Sequence, residues 1–382
     1  MNGLHPRDRR AFASLASRIG SGLGLLLRFW VLGALLTGCL RPVAPAKQPA
    51  PASQASAPAG YWPTAGWRTS APEAQGMDGE KLAQMLAEVQ GRKLELHSLL
   101  VIRNGYIVSE TYFGSYRLDT QHELYSCTKS FVATLVGIAI DQGRVGDVGQ
   151  KVLGLLPGRA FANPDPRKEA MTLEHLLTMT CGLDWPEGDP AYRAMYLSRD
   201  WVQYVLDEPM REAPGSRFNY CSGCSHLLSA IVQQHAGMSV RDYAQQNLLG
   251  PLGISSFNWE RDAQGIPIGG WGLQLTPRDM AKLGYLYLHN GIWEGKQVVS
   301  AGWVRAATQK HTATDSNLGY GYQWWIYPKF EAYTALGRYG QTIFVAPHLG
   351  LIIVTTAALD SHEEIFRLIE QYIVPAAREK GT

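Results

Sequence analysis

The stretch "SLLVIRNGYIVSETYFG", residues 98–114, decides how this sequence folds. Two runs rich in β-branched and aromatic residues flank Asn104-Gly105, the dipeptide that best suits the left-handed backbone of a two-residue hairpin turn. A strand pair is therefore expected here. Just before it, "DGEKLAQMLAEVQG" places Leu82, Met85, Leu86 and Val89 on one face of a helix that Gly91 terminates. Near the other end, "TIFVAPHLGLIIVTTA" reads as strand, turn from Pro347 to Gly350, and strand. "SHEEIFRLIEQYIVPAAREK" then reads as a capped amphipathic helix with Ile365, Leu368, Ile369 and Tyr372 facing inward.

Between these ends, from residue 126 to about 310, the pattern is mainly helix and loop. "TLEHLLTM", "RDWVQYVLDE", "CSHLLSAIVQQHAG", "VRDYAQQNLL" and "PRDMAKLGYLYLHNG" carry it. No internal repeat interrupts it. Strands from both ends around a helical middle predict an α+β fold: one mixed, largely antiparallel sheet flanked by helices, with a helical region inserted. Catalytic groups would then lie at the seam between the two parts.

With 382 residues and 46% hydrophobic composition, the chain can bury a large core. Its formal charge of +2 is concentrated at the amino terminus, where Arg7, Arg9, Arg10, Arg18 and Arg28 stand against Asp8 alone. Without residues 1–38, 30 basic residues face 32 acidic ones, so no basic surface for nucleic acid is implied. The arginines lead into "LLLRFWVLGALLTGC", an apolar run closed by small residues before Cys39, which has the layout of a secretory signal. An uncleaved amino-terminal anchor is the alternative. Residues 39–60, nearly all Pro, Ala, Ser and Gln, are expected to be an extended tether, and the folded domain to occupy 61–382. Either way the folded part lies outside the cytoplasm. Of the four later cysteines, Cys221 and Cys224 are the obvious local pair in an oxidising compartment. No second CxxC or HxxxH accompanies them, so no metal site is expected.

Chemistry is first suggested by "HELYSCTKSFVATLVGIAIDQG", residues 122–143, where Ser126 and Lys129 stand three apart as a polar segment enters an apolar helix. A serine hydroxyl needs a base within hydrogen-bond reach, and positions three apart on a helix share a face. Should Ser126 begin the helix, the amides of the first turn would favour its alkoxide. No other lysine in the chain has a serine three residues earlier. A helix-capping serine beside a solvated lysine would look the same. A second signal is Tyr220 in "PGSRFNYCSGCSHLLSAIVQQHAG": a tyrosine whose pKa is lowered by positive charge, or which shares its proton with a lysine, can act as general base. A third is "YTALGRYGQTIFV", whose glycines let a substrate carbonyl approach the backbone near Gly337 and Gly340, or else form a β-bulge.

Taken together, "LYSCTKSF", "MTLEHLLTMTCGL", "RFNYCSGC", "GLQLTPRDMAKLG" and "GRYGQTIFVAPHLGLIIV" resemble, in this order, the serine hydrolases of the class C β-lactamase, penicillin-binding and esterase group. The resemblance spans residues 70 to 375 and is nearest to 6-aminohexanoate-dimer hydrolases and related esterase-like members. It implies a β-lactamase-like sheet, Ser126 as acylated nucleophile, Lys129 as its activating partner and Tyr220 as proton relay. It also implies an oxyanion hole from the backbone N–H groups of Ser126 and Arg338, and a substrate site that includes Ser222, Gly337, Gln341 and Trp271. Leu36-Thr37-Gly38-Cys39 similarly resembles a bacterial lipobox, with Cys39 as the lipidated residue of a membrane-anchored, exported protein.

Two departures stand out. Ser222 occupies the position at which β-lactamases have Asn, and Ala335-Leu336-Gly337 replaces their Lys-Thr-Gly. Both remove groups that would hold the amide and carboxylate of a β-lactam. The expected activity is therefore cofactor-free hydrolysis of a small ester, amide or peptide through an acyl-enzyme. The alternatives are a penicillin-binding-type protein or peptidase acting on cell-wall peptide, a β-lactamase, and a scaffold that binds without turnover. The chain has no Gly-x-Ser-x-Gly elbow, His-Glu-x-x-His or phosphate-binding loop. His175 and His226 fall in helical patterns where capping or core packing is the usual role, while Trp271 and Trp325 are the tryptophans placed to line a cleft.

Overall fold

A computed structural model describes residues 60–377. The expected signal at 1–38, Cys39 and the tether up to residue 59 lie outside the described residues. Nine strands of one sheet come from the two ends of the domain. The amino-terminal part supplies β1 (Arg68–Thr69), β2 (Leu96–Arg103) and β3 (Tyr106–Tyr112). The carboxyl-terminal part supplies β4 (Thr312–Ala313), β5 (Gly319–Tyr320), β6 (Trp325–Tyr327), β7 (Ala332–Gly337), β8 (Gln341–Ala346) and β9 (Leu351–Ala357).

The order across the sheet is β1-β3-β2-β9-β8-β7-β6-β5-β4. Every neighbouring pair is antiparallel except β1 with β3, which gives the mixed, largely antiparallel sheet that the sequence predicts. Asn104 (φ 51°) and Gly105 (φ 79°) turn the β2–β3 hairpin through the left-handed region, as their identities predict. The two ends of the chain join where β2 pairs with β9, with Leu100 opposite Val354 and Ile102 opposite Ile352.

Successive residues of a strand point to opposite faces, and here both faces are covered. Leu99, Val101, Phe344 and Ile353 pack with Leu82, Met85 and Val89 of α1 (Gly79–Gly91) and with the carboxyl-terminal helix. Leu100, Ile102, Ile343 and Val354 pack against the inserted helical region. That region includes α2 (Thr128–Asp141), α3 (Leu173–Leu177), α4 (Asp189–Leu197), α5 (Trp201–Asp207), α6 (Ser222–Ala236) and α7 (Pro277–Leu288). The carboxyl-terminal helix begins as α8 (Glu363–Leu368); Ile365, Leu368 and Ile369 are buried, while Tyr372 is half-buried with its phenol on Glu88. No helix among the described residues is long and apolar enough to cross a membrane.

Two features of the inserted region position the site. The first is α2, buried on every side from Thr128 to Ala139, which fixes the residues at its start. A Cβ on Gly137 would meet the Trp303 ring at 2.5 Å. Gly137→Ala is accordingly expected to destabilise the protein by about 1–3 kcal/mol in urea unfolding, through overpacking. The second is a small sheet of His122–Glu123, Leu273–Leu275 and Asn258–Trp259, which ties the chain before Ser126 to the chain after Gly270. Leu124 N–H donates to the Leu273 carbonyl at 2.9 Å.

Candidate active site

Ser126 lies in a single 3₁₀ turn, Tyr125–Cys127, immediately ahead of α2. Tyr125 holds φ at 45°, a left-handed conformation that costs a bulky residue about 1–3 kcal/mol and that concentrates at functional sites. The turn leaves Ser126 partly open to solvent, whereas Lys129, the next turn on, is 1% exposed. Lys129 Nζ donates to Ser126 Oγ at 2.8 Å and to the Gly270 carbonyl at 2.8 Å. Burial disfavours the ammonium and lowers the Lys129 pKa to about 8, although the negative charge of Glu187 works in the opposite direction. A helix-capping serine beside a solvated lysine does not describe this pair.

Tyr220 approaches from the loop that enters α6. The Lys129 ammonium lies 4.9 Å from its ring centroid, and the phenol lies close enough to the Ser126 hydroxyl for that hydroxyl to influence its titration. Trp325 stacks on the ring at 5.8 Å, and Tyr320 meets it edge-on at 6.4 Å. Burial and the charge of Glu187 raise the Tyr220 pKa, with the Ser126 hydroxyl opposing them. A tyrosinate would need positive charge to lower its pKa; the surroundings of Tyr220 act the other way and keep the phenol protonated.

On the far side of Ser126 lies the end of β7. Gly337 packs so closely on the Ser126 turn that a Cβ there would sit 2.1 Å from the Leu124 carbonyl oxygen. Tyr339, directly after Arg338, holds φ at 66°, and its ring meets that of Tyr125 at 5.3 Å. Two left-handed tyrosines thus flank the turn pair that carries Ser126 and Arg338. Gln341, expected in the substrate site, instead has its amide taken up by main chain. Its Nε2 donates to the Arg338 carbonyl at 2.7 Å and to the Ala357 carbonyl at 3.0 Å, and its Oε1 accepts from Ala357 N–H at 3.0 Å. Fully buried, it braces the turn after β7 from behind.

Ser222, two residues after Tyr220, is 1% exposed and anchors a carboxylate that the sequence reading missed. Glu187 accepts from Ser222 N–H at 3.0 Å, from Ser222 Oγ at 2.6 Å, from Trp185 Nε1 at 2.5 Å and from the Tyr192 phenol. Nothing in "DWPEGDP" distinguishes Glu187 from a loop acid, because Ser222, the partner that ties it to the site, is 35 residues away. Trp271, which follows the Gly270 carbonyl, is half-buried and packs on Tyr192 and Tyr196 at 5.1 and 6.1 Å. Its Nε1 donates to the Tyr196 hydroxyl at 3.2 Å.

Cys221 and Cys224 form the expected disulfide at the start of α6, and Cys181 Sγ lies 3.0 Å from Cys224 Sγ. His175 completes a capping box with Thr172, and His226 is buried, as their helical settings suggest.

Against known proteins, residues 82–377 match the family model described as Beta-lactamase. The 6-aminohexanoate-dimer hydrolase of Paenarthrobacter ureafaciens is 27% identical over 311 residues, covering 72% of this chain and 76% of that protein. A family VIII carboxylesterase superposes with a TM-score of 0.66 at 16% identity, covering 80% of this chain and 98% of that one. A penicillin-binding protein homologue from Caulobacter crescentus does so with a TM-score of 0.61 at 19% identity, covering 81% and 99%. The two solved structures share the fold, and the match over residues 82–377 establishes that this chain belongs to the Beta-lactamase family.

Proposed function

We propose that this protein is a serine hydrolase that cleaves an ester or amide through an acyl-enzyme on Ser126. The observation that carries the reading is the 2.8 Å contact between the Ser126 hydroxyl and a buried lysine whose pKa is lowered to about 8. A lysine near neutrality can be an efficient base, whereas an exposed one is held by its proton. In this reading Ser126 Oγ attacks the carbonyl carbon and its proton moves to Lys129 Nζ. Tyr220, kept protonated by its surroundings, relays a proton to the leaving oxygen or nitrogen as that bond breaks. Water then attacks the acyl ester by the reverse relay and the acid departs. The N–H groups of Ser126 and Arg338 are assigned to the developing oxyanion.

Glu187 supports ester or simple amide donors over β-lactams. Its carboxylate is held on Ser222, where β-lactamases have Asn, and the Lys of Lys-Thr-Gly is Ala335 here. A β-lactam would meet a carboxylate in place of the Asn that holds its amide, and its own carboxylate would lack its cation. We therefore expect kcat/KM for nitrocefin to lie about 100-fold or more below that for a short p-nitrophenyl ester. A fluorophosphonate probe should label Ser126 stoichiometrically by peptide mass spectrometry. A persistent penicilloyl adduct on Ser126 would favour the penicillin-binding reading instead, and absence of labelling would favour the binding scaffold.

The same proposal places the protein outside the cytoplasm on a lipidated Cys39, supported by the arginine-rich apolar leader and by the Cys221–Cys224 disulfide. Cys39→Ser is expected to move the protein from the membrane to the soluble fraction on fractionation of a bacterial host; unchanged membrane association would leave an apolar anchor.

A further inference from the structure

Four polar residues follow one another along a single face of α6 at helical spacing: Ser222, Ser225, His226 and Ser229. All are at most 1% exposed. In a helix this deeply buried each polar side chain needs a partner, and each has one. Ser222 binds Glu187, Ser225 Oγ donates to Gln323 Oε1 at 2.8 Å, and Ser229 Oγ donates to the Pro267 carbonyl at 2.6 Å. His226 Nε2 lies 3.1 Å from Asp262 Oδ2, with both side chains fully buried.

Asp262 in turn shapes the segment that leads to the site. Its Oδ1 accepts from Gln264 N–H at 2.9 Å and from Ile266 N–H at 2.8 Å. The other ring nitrogen of His226, Nδ1, accepts from Gly269 N–H at 3.4 Å. Since Nε2 donates to the carboxylate, the tautomer is the one that leaves Nδ1 as acceptor. Gly269 lies flat on α6: a Cβ there would be 2.0 Å from the Ser225 carbonyl oxygen and 2.9 Å from His226 Cα. The next residue, Gly270, presents its carbonyl to Lys129 Nζ.

We propose that His226 and Asp262 are positioning residues for Lys129: they lock Gly269, so that the Gly270 carbonyl takes one amine hydrogen and directs the lone pair at Ser126. This rests on the hydrolase reading above and names the device that aims its base. The carbonyl acts twice. It orients the neutral amine, and it stabilises the ammonium that forms once the Ser126 proton arrives. Loosening it misdirects the base and disfavours the protonated form, so the pKa of Lys129 falls further below its wild-type value.

The test uses the purified protein and the rate of Ser126 labelling by a fluorophosphonate, followed from pH 5 to pH 10 by peptide mass spectrometry. Asp262→Asn is isosteric and keeps an acceptor for Gln264 and Ile266, but its amide must donate to Nε2. The imidazole proton then moves to Nδ1, where it faces Gly269 N–H. His226→Ala removes the acceptor altogether, whereas His226→Asn puts an amide oxygen near the place of Nδ1.

Asp262→Asn and His226→Ala are expected to slow labelling at the alkaline plateau by about 10-fold and to move the inflection to lower pH by about half a unit or more. His226→Asn should restore the inflection. An inflection unchanged in both Asp262→Asn and His226→Ala, with labelling reduced equally at all pH values, would assign the pair to stability alone and overturn the proposal. Far-UV circular dichroism identifies any variant that unfolds, and the remaining variants then decide. The control is Ser126→Ala: if the same peptide is still labelled at another residue, the hydrolase reading fails and the inference with it, an outcome distinct from an unmoved inflection.

Discussion

Ser126→Ala is expected to reduce turnover of a simple p-nitrophenyl ester by about 10⁴-fold or more while leaving the thermal unfolding midpoint within about 2 °C of wild type. The asymmetry follows from where the hydroxyl lies. Ser126 is partly exposed in a short turn, and its hydroxyl accepts from Lys129 Nζ. Removing it leaves Lys129 on the Gly270 carbonyl and leaves the strained turn at Tyr125 in place, because Leu124 stays bonded to Leu273. Stability therefore changes little. On the proposed mechanism, chemistry loses the atom that forms the acyl bond. The measurement is initial-rate hydrolysis beside a thermal melt. Ester turnover near the wild-type rate in a folded variant would identify a different nucleophile.

How much of this was legible in the sequence depends on whether a feature is local. The hairpin at Asn104-Gly105, the β8–β9 pair and α1 carry their own periodicity and turn chemistry, and the structure forms each of them. The strands β4 to β6 are two or three residues long, too short for alternation to show, and "TATDSNLGYGYQWWIY" gave no sign that it extends the sheet. The small sheet before Ser126 is built from similar fragments. Its effect on the site is nevertheless large.

The site divides in the same way. Ser126 and Lys129 are neighbours on the chain, so their contact could be anticipated, and Tyr220 followed from the order of several motifs. Glu187 meets Ser222, Lys129 meets the Gly270 carbonyl and His226 meets Asp262 through tertiary contacts alone. A carbonyl has no sequence signature, and an acid 35 residues from its serine partner looks like any surface acid. Gln341 shows the reverse error. A polar residue at a recognised position was read as facing substrate, although strand burial turned it to the backbone.

Lys129→Met is the second large prediction, and it joins function to stability. Activity should fall by about 10³-fold or more, since no other amine contacts Ser126 Oγ among the described residues. In the wild type, kcat/KM should climb with pH through about 8 as Lys129 becomes a free base. The same shift fixes how folding responds to pH. Lys129 titrates at about 8 when folded, against 10.5 for an unperturbed lysine, so the folded state binds fewer protons than the unfolded state between those values. Burying the ammonium costs stability in full below pH 8, and that cost disappears as pH rises toward 10.5. Its size is on the order of 3 kcal/mol at 1.36 kcal/mol per pKa unit. Methionine has no such titration. Relative to wild type, Lys129→Met should thus look most favourable at pH 7 and lose that advantage by pH 10, whatever constant offset the lost contact with Gly270 adds. Urea unfolding of both proteins at the two pH values measures the difference directly, because every other titrating group largely cancels. A gap between the two proteins that stays the same at pH 7 and pH 10 would mean that Lys129 titrates as an ordinary solvated lysine, and a base held by its proton at neutral pH could not activate Ser126.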